Sequence, residues 1–526
     1  MQAKSGGFGR RRVSRRPRPA VVAIAVTLAL LAAACSDDDQ SGSGFFSGIG
    51  EGTTTTTDGE SPSDDPDPDP TDSGIDWVRE GSIDRGTLDV PLDYDAPDGE
   101  QIDIAVSRRP AGTPDERLGV LLVNPGGPGS SGIEFASMAG LIFPREVLDH
   151  FDLIGFDPRG VGDSTDVRCG DGELMDRFTA ADPVPPTPEV AAEVEAVIRE
   201  FADACEADSG DLLPHINTEA SARDMDRIRE ALGEEQITYI GFSYGTLLGA
   251  TYAELFPERI RAFVLDGGYS RSLSAGALSE GQAVGFERSI DAFASWCTPE
   301  VCDLASGGEP GAEIVALLES IRSQPLATTD DDGRQLTVGL AWTGVIVAMY
   351  SPGFWPQLDR ALVRARDQGD GSSLLALADL YNERGRDGEF GSIQYAFTAY
   401  NCMDRVPSTP AEDAAIAERL LDVAPRIGPV FVSTPSPCEF WPVEPRGTVE
   451  PFSSPDAPPM IVIATTGDPA TPYEWGVLLA DELETATLLT VEGDAHTAFG
   501  SGINCVDETV VAYLVDLEMP AEGARC

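Results

Sequence analysis

The chain has 526 residues, a formal net charge of −53 and nine cysteines. So acidic a balance disfavours nucleic acid and anionic membrane surfaces as partners and favours general solubility. Three histidines (His150, His215, His496) and no Cys-x-x-Cys pair leave no zinc-ligand spacing; Lys4 is the only lysine, which excludes Schiff-base and Ser–Lys chemistry from the folded part.

Residues 1–34 read as an export signal. Lys4 and six arginines precede Pro19 with no acid among them, and an apolar run follows from Val21 to Ala34. Its ending, Leu31-Ala32-Ala33-Ala34-Cys35, resembles a bacterial lipobox. That resemblance implies cleavage before Cys35, acylation of its thiol and a membrane-anchored envelope protein. The alternative is an ordinary secretory signal and a fully secreted product. Residues 35–76 read as a disordered tether, because their Ser, Asp, Gly, Thr and Pro cannot bury a core. With Cys35 lipidated, eight cysteines remain. The pairing with the shortest loops is Cys169–Cys205, Cys297–Cys302, Cys402–Cys438 and Cys505–Cys526, although sequence alone leaves other connectivities open. Disulfides suit an oxidising compartment.

From Trp77 onward strands and helices alternate, which predicts a mostly parallel sheet. Strands are expected over Gly86–Leu92, Gln101–Arg108, Val120–Asn124, Phe151–Asp157, Ile237–Phe242, Arg261–Asp266, Met460–Thr465 and Ala486–Val491. Helices are expected over Glu189–Cys205, Glu219–Leu232, Tyr244–Leu255, Tyr473–Leu483 and Val506–Leu517. Between about Ser270 and Pro455 helical periodicity dominates, with Trp296, Trp342, Trp355 and Trp441 scattered through it. This predicts a core in two parts, 77–270 and 456–526, interrupted by a helical cap over 271–455.

Gly241-Phe242-Ser243-Tyr244-Gly245 fits G-x-S-x-G. The pattern alone is weak. A strand before it and a helix with small residues after it supply the strand–turn–helix of a nucleophile elbow, which exposes the serine Oγ above a sheet. The Tyr244 N–H then becomes one oxyanion donor. The second is expected from the loop Asn124–Gly132. Pro125 and Pro128 lack an N–H, which leaves Gly126 or Gly127. Only His496 follows Ser243 as a possible base, just past the last predicted strand. Asp468, after the strand Met460–Thr465, is the expected third member, and Asp494 is its rival. The segment Asp157–Ser164 reads as a tight structural turn, with a place in the pocket floor as the other reading.

Four motifs in order carry a family resemblance: Asn124-Pro125-Gly126-Gly127-Pro128-Gly129, Asp157-Pro158-Arg159-Gly160-Val161-Gly162-Asp163-Ser164, Gly241–Thr246, and Gly467-Asp468-Pro469-Ala470-Thr471-Pro472. Together they resemble the tripeptidyl and prolyl aminopeptidase branch of the α/β-hydrolases, in its actinobacterial exported form with a TAP-like C-terminal region. The resemblance covers almost all of 77–526. It implies an α/β-hydrolase fold, the triad Ser243, Asp468 and His496, and release of residues or short peptides from free N-termini; no cofactor or metal is expected. Some relatives act as carboxylesterases, so an esterase or lipase stands as the runner-up, and a non-catalytic surface-binding protein as a third reading. An exopeptidase needs a cap acid for the substrate's ammonium group. Glu280, Glu287 and Asp291 are among the candidates.

Overall fold

The computed structural model describes residues 74–330 and 332–526. The export signal, the acylation candidate Cys35 and nearly all of the tether lie outside the described residues. In chain order the strands are β1 (Val78–Glu80), β2 (Ile83–Pro91), β3 (Gln101–Arg109), β4 (Gly119–Asn124), β5 (Phe151–Phe156), β6 (Ile237–Phe242), β7 (Ile260–Asp266), β8 (Leu326–Ala327), β9 (Gln335–Leu336), β10 (Met460–Thr465) and β11 (Ala486–Val491). Nine of them build one sheet in the order β1-β2-β3-β5-β4-β6-β7-β10-β11, and β8 with β9 forms a separate ribbon. The first strands meander antiparallel as far as the β3–β5 pair. From β5 to β11 every pairing is parallel.

The strand sequences show why. Every residue of β4, β6 and β10 is buried, as expected where helices cover both faces of a parallel sheet. Successive side chains point to opposite faces. Leu122, Ile154, Tyr239, Phe263 and Val462 accordingly enter one core layer. Their neighbours Leu121, Leu153, Ile240, Val264 and Ile463 enter the other.

The tether boundary needs correcting. Ile75 is 2% exposed and belongs to the first core layer. A Cβ at Gly86 would collide with its side chain. The folded body therefore begins before Trp77.

Between β7 and β10 the chain makes the helical insertion. Its helices Ala275–Trp296, Pro310–Ser323, Val338–Met349, Trp355–Gln368 and Ser372–Asn382 enclose a core of their own around Phe293, Trp342 and Trp355. The last part of the insertion behaves differently. Helix Ile393–Asp404 sends Tyr395, Ala396 and Tyr400 into the sheet-side core, and Trp441 packs there too rather than in the cap. Disulfides join Cys169–Cys205, Cys297–Cys302, Cys402–Cys438 and Cys505–Cys526.

Candidate active site

Chain order reverses at the centre of the sheet, where β4 lies between β5 and β6. In open α/β sheets a crevice forms at the carboxyl ends of the strands at such a switch point. The C-terminal ends of β4, β6, β7, β10 and β11 bring together the loop after Asn124, Ser243, Asp266, Asp468 and His496.

Ser243 sits between β6 and helix Tyr244–Leu255 with φ 53° and ψ −120°. A non-glycine residue at positive φ costs energy and persists only when its surroundings hold it. Here its N–H donates to the Asp266 carbonyl at 2.8 Å, and its own carbonyl accepts from Thr246 N at 2.8 Å and Thr246 Oγ1 at 2.6 Å. The turn has no room for larger neighbours. A Cβ on Gly245 would lie 2.8 Å from the Asn124 carbonyl, and one on Gly241 would overlap the Gly245 carbonyl.

The loop after β4 leans on this elbow. A Cβ on Gly126 would meet Phe242 O at 2.5 Å and Tyr244 N at 3.2 Å, so only glycine allows the approach. Gly126 N–H, however, donates to Asn124 Oδ1 at 2.9 Å. Its donor is spent locally, which corrects the expectation for that residue. The N–H groups of Gly127 and Tyr244 have no partner among the described residues.

The segment Asp157–Ser164 buttresses the same loop. Buried Asp157 accepts from Ser131 Oγ at 2.6 Å, Ile133 N at 3.2 Å and Asp163 N at 2.9 Å. Fully buried Arg159 forms a bidentate pair with Asp224 at 2.8 and 2.7 Å. It also donates to the carbonyls of Leu92, His215 and Pro91. These bonds make it a structural turn.

His496 Nδ1 donates to both oxygens of Asp468 at 2.9 Å. Asp468 is 3% exposed and is otherwise satisfied by its own loop. Its Oδ1 accepts from Ala470 N at 2.9 Å and Thr471 N at 2.8 Å, and its Oδ2 from Thr471 Oγ1 at 2.9 Å. Thr471 Oγ1 also lies 3.3 Å from His496 Nδ1. The rival Asp494 is exposed and has no bond to the imidazole. Burial alone would lower the His496 pKa. The charge of Asp468, its hydrogen bond and the charge of Asp266 outweigh that and hold it above the ordinary imidazole value. A Cβ on Gly267, directly after Asp266, would lie 3.2 Å from His496 Cε1, so the ring rests over the end of β7, where the Ser243 amide is bound.

Two groups escaped the sequence reading. Thr471 is three residues from Asp468, a spacing that could have signalled a local turn bond. Asp266 ends β7 fully buried, pushed up to about 6 by desolvation. Its Oδ2 accepts from Ala498 N at 2.9 Å and Phe499 N at 2.8 Å, while Oδ1 has no partner among the described residues. The cap acids named from sequence are all engaged elsewhere: Glu280 pairs with Arg419, and Glu287 and Asp291 both pair with Arg426. A different acid, Glu383, is pushed up to about 8 by burial and by the charges of Glu134 and Asp157. Glu134 follows the loop after β4, and its carboxyl is raised to about 7, chiefly by desolvation.

A mostly parallel sheet, a serine at a strained strand–helix turn and a buried His–Asp pair in the loops after the last two strands define a serine hydrolase of the α/β-hydrolase class. Residues 119–304 match the family described as alpha/beta hydrolase fold, and residues 424–526 the family described as TAP-like protein. The chain is 38% identical to serine protease Hip1 of Mycobacterium tuberculosis over 84% of its length and 86% of the relative's. It is 40% identical to carboxylesterase B of the same species, over 84% and 85%, and 31% identical to the tripeptidyl aminopeptidase of Streptomyces lividans, over 86% of each. The chain belongs to the TAP-like family of α/β-hydrolases.

Proposed function

We infer that the protein is an extracytoplasmic serine exopeptidase, acting on free peptide N-termini through an acyl-enzyme. His496 takes the Ser243 proton as the Oγ attacks the scissile carbonyl, and Asp468 holds the imidazole by Nδ1 and stabilises its charged form. The oxyanion is met by the amides of Tyr244 and Gly127. His496 then protonates the leaving amine, and water releases the acyl group. The observation that carries this reading is the buried Asp468–His496 pair beside the elbow at Ser243. The preference for a free N-terminus draws on the relative named tripeptidyl aminopeptidase and on Glu383 with Glu134. The charge of Glu134 adds to burial in raising the Glu383 carboxyl, and an ammonium group bound near Glu383 would offset that charge. The relative named carboxylesterase B keeps ester hydrolysis as the second reading. Export, with anchoring through an acylated Cys35, is supported by the basic and apolar N-terminal pattern and by the four disulfides.

The test is turnover of a chromogenic tripeptide, with the N-terminus free and then acetylated. Cleavage of the free peptide alone, abolished by Ser243→Ala, is the expected result. Equal cleavage of both forms would remove the exopeptidase reading. Ester turnover without peptide turnover would favour the carboxylesterase.

A further inference from the structure

The turn that carries the catalytic histidine is strained. Thr497, next in the chain, has φ 67°. A β-branched side chain in the left-handed region is a true outlier, so the turn must be held from outside. One holder belongs to the sheet: Asp266 Oδ2 accepts the amides of Ala498 and Phe499. The other belongs to the cap. His496 N–H donates to the carbonyl of Tyr350 at 2.8 Å, and the Tyr350 ring stands edge-on to the imidazole, with centroids 5.3 Å apart at 84°.

Tyr350 is itself fixed. It closes the C-terminus of helix Val338–Met349. The preceding carbonyl, Met349 O, accepts from Ser289 Oγ at 3.1 Å. Its ring also packs against Phe286 and Tyr381, at 5.7 and 6.2 Å between centroids. The same cap grips the acid's loop. Ala470 is buried in the cap's own core, its carbonyl accepts from Gln282 Nε2 at 3.1 Å, and Gly285 leaves no room for a Cβ against the Pro469 carbonyl.

We propose that Tyr350 is a positioning residue for His496, so that the cap completes the catalytic machinery instead of serving only as a lid over it. This rests on His496 acting as the base for Ser243. The backbone carbonyl fixes where the residue starts, and the ring packs against the imidazole. With the ring removed, Thr497 can relax toward negative φ and carry the imidazole away from Ser243. Misplacing a reacting group by about 1 Å costs on the order of 100-fold in rate.

The test uses reagents too small to need the cap for binding. The full-length protein and its Tyr350→Phe, Tyr350→Leu and Tyr350→Ala variants are treated with a small fluorophosphonate, and kcat and KM are measured for p-nitrophenyl acetate. Tyr350→Phe, which keeps the ring and loses only its hydroxyl, should label Ser243 and turn over ester at the wild-type rate. Tyr350→Ala should lose on the order of 100-fold in labelling rate and in kcat, with KM little changed. Tyr350→Leu, which keeps the volume filled and so guards against a collapsed cap, should also be impaired. Wild-type labelling in the alanine or leucine variant would overturn the proposal. So would a defect confined to the KM of peptide substrates, since that would make Tyr350 a wall of the substrate pocket. A His496→Ala variant labelled as fast as wild type would overturn the triad itself, and this proposal with it.

Discussion

Replacing Thr471 by valine keeps the side chain's shape and removes one hydroxyl. In the native site that hydroxyl donates to Asp468 Oδ2 at 2.9 Å and lies 3.3 Å from His496 Nδ1. The residue is 5% exposed, so water does not readily replace the lost donor. Oδ1 keeps the amides of Ala470 and Thr471, whereas Oδ2 keeps only the imidazole. A hydrogen bond to a charged group contributes roughly 1.5–3 kcal/mol. If that bond holds the carboxylate in line as the imidazole takes up charge, its loss appears in the barrier. At about 1.4 kcal/mol per tenfold, kcat should fall about ten- to hundredfold. Ester kcat and KM, fluorophosphonate labelling and thermal melting would be measured together, with Thr471→Ser as the variant that restores the donor. A fall in kcat without a matching rise in KM, recovered by serine, is expected. A valine variant with wild-type kcat and an intact melting transition would refute the reasoning and leave Thr471 a packing residue.

Because His496 is held above 6.5, the acid limb of kcat/KM should fall above that pH; Asp266→Asn removes one of the charges that raise it and should move the limb to lower pH. Stability should respond to pH in a direction set by buried carboxyls. Asp157, Asp266 and Asp404 are each raised by burial from 3.8 to about 6, so the folded state binds more protons than the unfolded chain in that window. Their contribution is greatest below the unfolded value and is lost as pH rises through about 6, and His496 acts in the same sense. The melting temperature should therefore be higher at about pH 5 than at about pH 8, and a flat profile would contradict it. Removing the Cys169–Cys205 bridge as a double alanine variant opens a separation of 36 residues. Loop-closure entropy for a loop of that size predicts a loss of about 4 kcal/mol in denaturant unfolding.

Much of the fold was legible because its signals are local. The apolar runs of β4, β6 and β10 could be read directly, since strands covered on both faces need apolar residues throughout. Helix Tyr244–Leu255 was readable to the residue, because the tight turn at Ser243 requires glycine on either side of it. The expectation of Ser243, Asp468 and His496 drew on the order of serine, acid and histidine usual in α/β-hydrolases, laid over the residues that stand after successive strands. The overlooked strand β1 has only three residues, all exposed, and pairs with the neighbouring β2 at the edge of the sheet, so it carries no apolar run to read.

What the sequence could not decide was which of many similar groups meet. It contains 89 acidic residues, and nothing local distinguishes Glu287, bound to Arg426, from Glu383, raised by burial and by neighbouring carboxyls. Gly126 and Gly127 were equivalent as donors until Asn124 Oδ1 took the first amide. The burial of Ile75, the clamp of Asp266 on Ala498 and Phe499, and the placing of Tyr350 against His496 all join residues far apart in the chain. Composition and periodicity determined the elements and the chemistry available, because both act through near neighbours along the chain. Which side chains share a buried volume depends on how helices and strands pack, and only the tertiary structure decides that.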